Sequence, residues 1–139
     1  MDYEGAKAAL LWNWTKPEPE ASEVYTDDAV VEFPQSGERF RGKENFSVWR
    51  GAYPADFLEF ELRALRGGGD IWVAELQARY EEGGAQLIGV SILHFRGELI
   101  DQETIYIADP FPPAEDRAQY ADHSSLESTP GLPVRARAA

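Results

Sequence analysis

Ile71-Trp72-Val73-Ala74-Glu75-Leu76-Gln77-Ala78-Arg79-Tyr80 is an alternating run that reads as a long β-strand. Trp72, Ala74, Leu76, Ala78 and Tyr80 alternate with a set that includes Glu75, Gln77 and Arg79, the period of two that sends successive side chains to opposite faces of a strand. This run extends over residues 71–81, and runs of the same kind occupy 57–66, 85–95 and 99–108. Between them stand Gly67-Gly68-Gly69-Asp70, Glu82-Gly83-Gly84 and Arg96-Gly97-Glu98, connections so short that neighbouring strands must pair antiparallel. The sequence therefore predicts a four-stranded meander of long strands, which twist and curl.

N-terminal to the meander, the period changes to that of a helix. Tyr3, Ala6, Leu10 and Trp14 recur at spacings of three and four until Lys16-Pro17 stops the run, giving a helix over 2–14. Pro17 and Pro19 suit the opening turn of a short second helix reaching Tyr25. Phe46, Trp49, Arg50 and Tyr53 mark a third over 43–53, ended by Pro54. Between the second and third lie a β-rich run at 29–33 and an edge strand at Arg39-Phe40-Arg41. Three helices placed before a curled sheet can cover only its concave face, so the class is α+β. Asp109-Pro110-Phe111-Pro112-Pro113 closes the sheet, 114–120 suits two helical turns, and the rest is rich in Ser, Pro, Ala and Arg. The reading is one domain over 1–122 and a tail over 123–139, with no stable secondary structure expected from Ser124 onward.

Charge narrows the function classes. Lys and Arg number 13 against 25 Asp and Glu, a formal charge of −12 over 139 residues, which disfavours nucleic acid and repels an anionic membrane. The absence of cysteine excludes disulfides, thiolate metal sites and a thiol nucleophile. An acidic start, Met1-Asp2-Tyr3-Glu4, and an apolar run too short to span a bilayer point to the cytoplasm.

The element order, the phrase Tyr25-Thr26-Asp27-Asp28-Ala29-Val30-Val31-Glu32-Phe33-Pro34, and Ser91-Ile92-Leu93-His94-Phe95 before a glycine turn resemble the nuclear transport factor 2-like, or SnoaL-like, superfamily. The resemblance covers roughly residues 3–120. It implies a cystatin-like cone, a curved antiparallel sheet wrapped around helices, and the ending Glu103 to Phe111 resembles an uncharacterised bacterial branch. Family catalytic positions do not carry over. Where ketosteroid isomerases hold a general-base aspartate this chain has Phe33, and where they hold an oxyanion-donating aspartate it has Leu93. Where limonene epoxide hydrolases hold an Arg and two Asp it has Leu76, Ala78 and Thr104. Neither steroid isomerisation nor epoxide hydrolysis is therefore expected.

The resemblance also implies the phase of each strand. On that phase Trp72, Leu76, Ser91, Leu93, Gln102, Thr104 and Tyr106 face into the cone, with Phe33 and Trp49 beside them, and Asp101 and Glu103 face out. Gln102, Thr104 and Tyr106 are then the polar anchors of a pocket lined mainly by apolar groups. A β-bulge would invert the phase locally. Glu75, Glu103 and His94 are the candidates for proton transfer, set against surface ion pairs for the acids and a structural role for the histidine. No metal site or cofactor is expected, since His94 lacks a second ligand. Three functions stand open: a module binding a small apolar molecule, an isomerase, dehydratase or cyclase using one of those three residues, and a structural dimer with a vestigial pocket. Carboxylate orientation separates the first two. Ile71, Val73, Ile92, Ile105 and Ile107, read as facing away from the cone, predict a homodimer.

Overall fold

The computed structural model describes residues 1–53, 59–80, 84, 86–122 and the backbone of 133–135. Pro54, positions 57–58 of the first meander run, Glu82-Gly83 and most of the tail lie outside the described residues. The chain begins with α1 (Tyr3–Thr15), capped where the Asp2 carboxylate accepts the Gly5 N–H at 2.7 Å. The expected second helix is a 3₁₀ turn, Glu20–Val24, and leads directly into β1 (Tyr25–Phe33), which starts four residues before its predicted position. β2 (Glu38–Arg41), α2 (Lys43–Ala52), β3 (Glu59–Gly68), β4 (Ile71–Arg79), β5 (Leu87–Arg96) and β6 (Leu99–Ala108) follow. After β6, residues 115–117 make a single 3₁₀ turn rather than two helical turns.

The sheet order is β2-β1-β6-β5-β4-β3, with a short β7 (Pro133–Arg135) added to the edge of β3. That edge strand corrects the reading of the whole tail as structureless. The meander β3 to β6 is antiparallel as expected, whereas β1 runs parallel to β6, which the long excursion between them permits. At the β3–β4 turn, Gly69 has φ 57°, and a Cβ on Gly67 would meet the Ile71 carbonyl oxygen at 2.2 Å, so both positions require glycine.

α1 and α2 pack on the concave face. Ala6 and Leu10 of α1 and Phe46 of α2 meet Tyr25, Val31, Leu62, Leu65, Trp72, Leu76, Leu93, Phe95 and Ile105 in one core. Two register shifts decide which residues join it. In β3, Leu62 pairs with Leu76 and Ala64 with Glu75, so the extra Arg63 lets Leu62 and Leu65 both point inward. In β6, Gln102 pairs with His94 and Ile100 with Phe95, so Asp101 is the extra residue. The phase of β6 inverts there. Ile100 is buried, Gln102 is exposed, and Glu103 and Ile105 are buried in turn. No helix among the described residues is long and apolar enough to cross a membrane.

A buried carboxyl in an aromatic cavity

The inversion in β6 builds the site. Ser91 lies two residues before Leu93 on β5 and keeps the inward phase expected for it. Tyr25, the first residue of β1, enters from the 3₁₀ turn with its ring edge-on to Phe46, centroids 5.8 Å apart. Glu103 lies between them, 1% exposed. The Tyr25 hydroxyl donates to its Oε1 and the Ser91 hydroxyl to its Oε2. Each carboxyl oxygen thus has one O–H donor and keeps acceptor capacity to spare.

Tyr25 and Glu103 border a cavity of about 400 Å³, a size that takes a small ligand. Tyr25 and Glu103 form its deep wall. Phe33, Phe40, Phe46 and Trp49 are packed against one another at centroid distances from 4.8 to 6.2 Å and make an aromatic side wall. Ile105 and Ile107 complete it from β6, and the exposed Gln35, Ser36, Glu38 and Tyr53 mark the mouth. Gln35 fixes the end of β6 to this mouth: its side-chain amide donates to the Ile107 carbonyl and accepts from the Ile107 N–H, both at 2.6 Å.

A second polar group lies at the side. Arg50 of α2 lines the cavity, donates to the Asn13 carbonyl at 3.1 Å and pairs with Glu18 at 3.3 Å, both side chains almost fully buried. Glu18 Oε2 also accepts from Ser22 at 2.8 Å and Ser47 at 2.7 Å.

Burial pushes the Glu103 carboxyl above the usual carboxylate range, because loss of water disfavours its charged form. The hydrogen bonds from Ser91 and Tyr25 and the positive charge of Arg50 oppose that shift without cancelling it. Burial likewise holds the Tyr25 phenol well above its ordinary value, with the Glu103 charge adding to the effect. The Tyr80 phenol, also in the wall, is raised by partial burial and by neighbouring Tyr53.

The remaining candidates divide by face. Phe33 and Trp49 line the cavity. Trp72, Leu76 and Leu93 point inward but belong to the packed core beside it. Gln102, Thr104 and Tyr106 do not face the cone, a correction that follows from the extra residue at Asp101. Gln102 and Tyr106 are exposed, and Thr104 donates to Glu32 at 3.1 Å on neighbouring β1. The same shift turns Glu103, Ile105 and Ile107 inward, so the two isoleucines leave the outer face assigned to them. Glu75 sits on the outer face in an ion pair with Arg66, and Arg79 pairs with Glu59. His94 is on that face too, its Nδ1 against Asp101.

Tyr25, Arg50 and Glu18 escaped the sequence reading. A signal for the inward Glu103 was present all the same: Ile100 and the Ile105, Ile107 pair have opposite parity, and one face cannot bury all three without a bulge.

The SnoaL-like domain family matches residues 11–103. Among solved structures, an NTF-2 like protein of unknown function from Burkholderia xenovorans LB400 is 32% identical, covering 88% of this chain and 97% of its own, with TM-score 0.74. A protein from Kribbella flavida, provisionally called a ketosteroid isomerase, is 19% identical over 93% of this chain and 96% of its own, with TM-score 0.73. A de novo designed protein with a curved β-sheet reaches TM-score 0.60 at 14% identity, covering 86% of this chain and 93% of its own. These last two likenesses speak to the fold alone, since the same cone hosts unrelated chemistries. No curated protein matches the chain. With most of its length matched by the domain family and 32% identity to an NTF2-like structure over 88% of the chain, the chain belongs to the SnoaL-like family of the NTF2-like superfamily.

Proposed function

We propose that the cavity binds a small, largely apolar molecule and that Glu103 moves a proton on it, in an isomerase, dehydratase or cyclase type of reaction. The observation that carries this reading is the carboxyl of Glu103 itself, buried in the cavity wall and oriented by the Tyr25 and Ser91 hydroxyls. A desolvated carboxylate is a stronger base than a solvated one, and general bases work best when tuned toward the operating pH. Glu103 takes a proton from carbon next to a carbonyl, and the C–H electron pair moves into the enolate. Return of the proton at another carbon is isomerisation, loss of hydroxide is dehydration, and attack on a second carbonyl is cyclisation. The Tyr25 phenol stays protonated and provides a donor in the same wall.

Absence of an acid at Phe33 and Leu93 told against such chemistry only while Glu103 was read as outward. An inward, desolvated glutamate favours the enzyme over the inert binder, and a cavity of about 400 Å³ counts against a vestigial pocket. The reading includes a homodimer. Ile71, 46% exposed, Val73, Val90, Ile92 and Tyr106 share the outer sheet face, where the helices cannot cover them.

The test is exchange of the enolisable hydrogens of 2-tetralone, a neutral bicyclic ketone, in deuterium oxide followed by proton NMR. The protein should accelerate exchange, and Glu103→Gln should slow it by about a hundredfold or more while the fold persists by circular dichroism. Exchange indifferent to Glu103→Gln, or none with the parent protein, would sink the proposal.

A further inference from the structure

We infer that Glu18 is a specificity-determining residue: by holding the charge of Arg50, it makes the aromatic cavity a site for an uncharged ring compound and closes it to carboxylates. The inference rests on reading this cavity as a ligand site. Arg50 is the one cationic side chain among the described residues of the wall, and taken alone it would make the cavity a receptor for an aromatic acid. It does not stand alone. Glu18 lies behind it, outside the wall, with the two side chains 6% and 10% exposed and 3.3 Å apart.

The pair is held by further hydrogen bonds on both sides. Hydroxyls of Ser22 and Ser47 donate to Glu18 Oε2, which leaves Oε1 toward the guanidinium, and the Asn13 carbonyl takes another Arg50 N–H. The Arg50 guanidinium also lies over the Phe46 ring, 5.4 Å from its centroid, so one face of the cation is spent there. A ligand carboxylate entering this wall would lose its water and find a cation whose charge is already balanced. It would also lie near Glu103.

An ammonium fares no better. It too would lose its water on entry, and the neutralised Arg50–Glu18 pair offers it no free negative charge. An uncharged ring system with one polar atom meets neither obstacle and stacks on the Phe33, Phe40 and Trp49 wall.

Calorimetric titration of the full chain at pH 7 with 2-naphthol, 2-naphthoate and 2-naphthylmethylamine compares the three charge states on one ring. The naphthol should bind at least about tenfold tighter than either ion. Glu18→Gln releases the Arg50 charge and should strengthen naphthoate binding by about tenfold or more, and Glu18→Gln combined with Arg50→Gln should abolish that gain. Should the single variant fail to fold, the parent order and the doubly neutral variant still decide. Naphthoate or the amine binding best to the parent, a carboxylate gain surviving in the double variant, or no binding by any probe would overturn the inference. Tetralone exchange lost in Glu103→Gln would meanwhile keep the proton-transfer reading intact, so the two fail separately.

Discussion

β4 and β6 have nearly the same length and the same apparent alternation, yet one holds its phase from end to end and the other changes it. In β4, Trp72, Ala74, Leu76 and Ala78 all face the helices, and Glu75 stays outside with Arg66. In β6, one extra residue, Asp101, separates a buried Ile100 from a buried Glu103. The contact between His94 and Asp101 holds the bulged residue on the outer face. A strand that keeps its phase contributes core and surface. A strand that shifts it can carry an acid into an apolar cavity, where burial raises its pKa and gives it a use as a base.

Substituting the two glutamates in parallel should give opposite outcomes on the two strands. Glu103→Gln should lower tetralone exchange about a hundredfold or more, whereas Glu75→Gln should leave it within about twofold, since Glu75 lies on the outer face paired with an exposed arginine. Equal effects would mean that the two acids occupy equivalent faces.

Stability sharpens it next. Ile105→Ala opens a hole beside the cavity and should cost about 2–4 kcal/mol in urea unfolding, while Gln102→Ala on the opposite face should stay within about 0.5 kcal/mol. A reversed order would return β6 to unbroken alternation.

Association tests the outer face of both strands. Sedimentation at micromolar concentration should give about twice the chain mass of 15.6 kDa, and Ile92→Glu should reduce it to a single chain. A parent protein that sediments as a monomer removes the dimer from the proposal.

The smallest effect expected is the pH dependence of stability. Glu103 has a higher pKa folded than unfolded, so above the usual carboxylate range the native state retains a proton that the unfolded chain has released. Its contribution is therefore present at low pH and lost as pH rises through the folded value. The melting temperature of the parent should fall relative to Glu103→Gln as pH climbs from about the ordinary glutamate value of 4.5, and a constant gap between them would contradict the burial.

Local sequence was enough for the α+β class, the helix end at Lys16-Pro17 and the meander with its glycine turns. Each of these depends on local period, on turn chemistry or on a short connection, which neighbours in sequence decide. The inward faces of β4 and β5, Phe33 and Trp49 at the cavity, and Glu75 on the outer face came instead from the resemblance to the SnoaL-like superfamily, which set the phase of the strands. The site itself depended on long-range pairing. Whether Asp101 is paired or extra depends on how β5 and β6 align across their hairpin, and that alignment is set by which isoleucines the helices bury. Tyr25, Ser91 and Glu103 come from three strands, and Glu18 and Arg50 from a loop and a helix, so no spacing in one dimension announces them. Period two is a property of each strand, but the side of the sheet on which an acid falls is a property of the pairing.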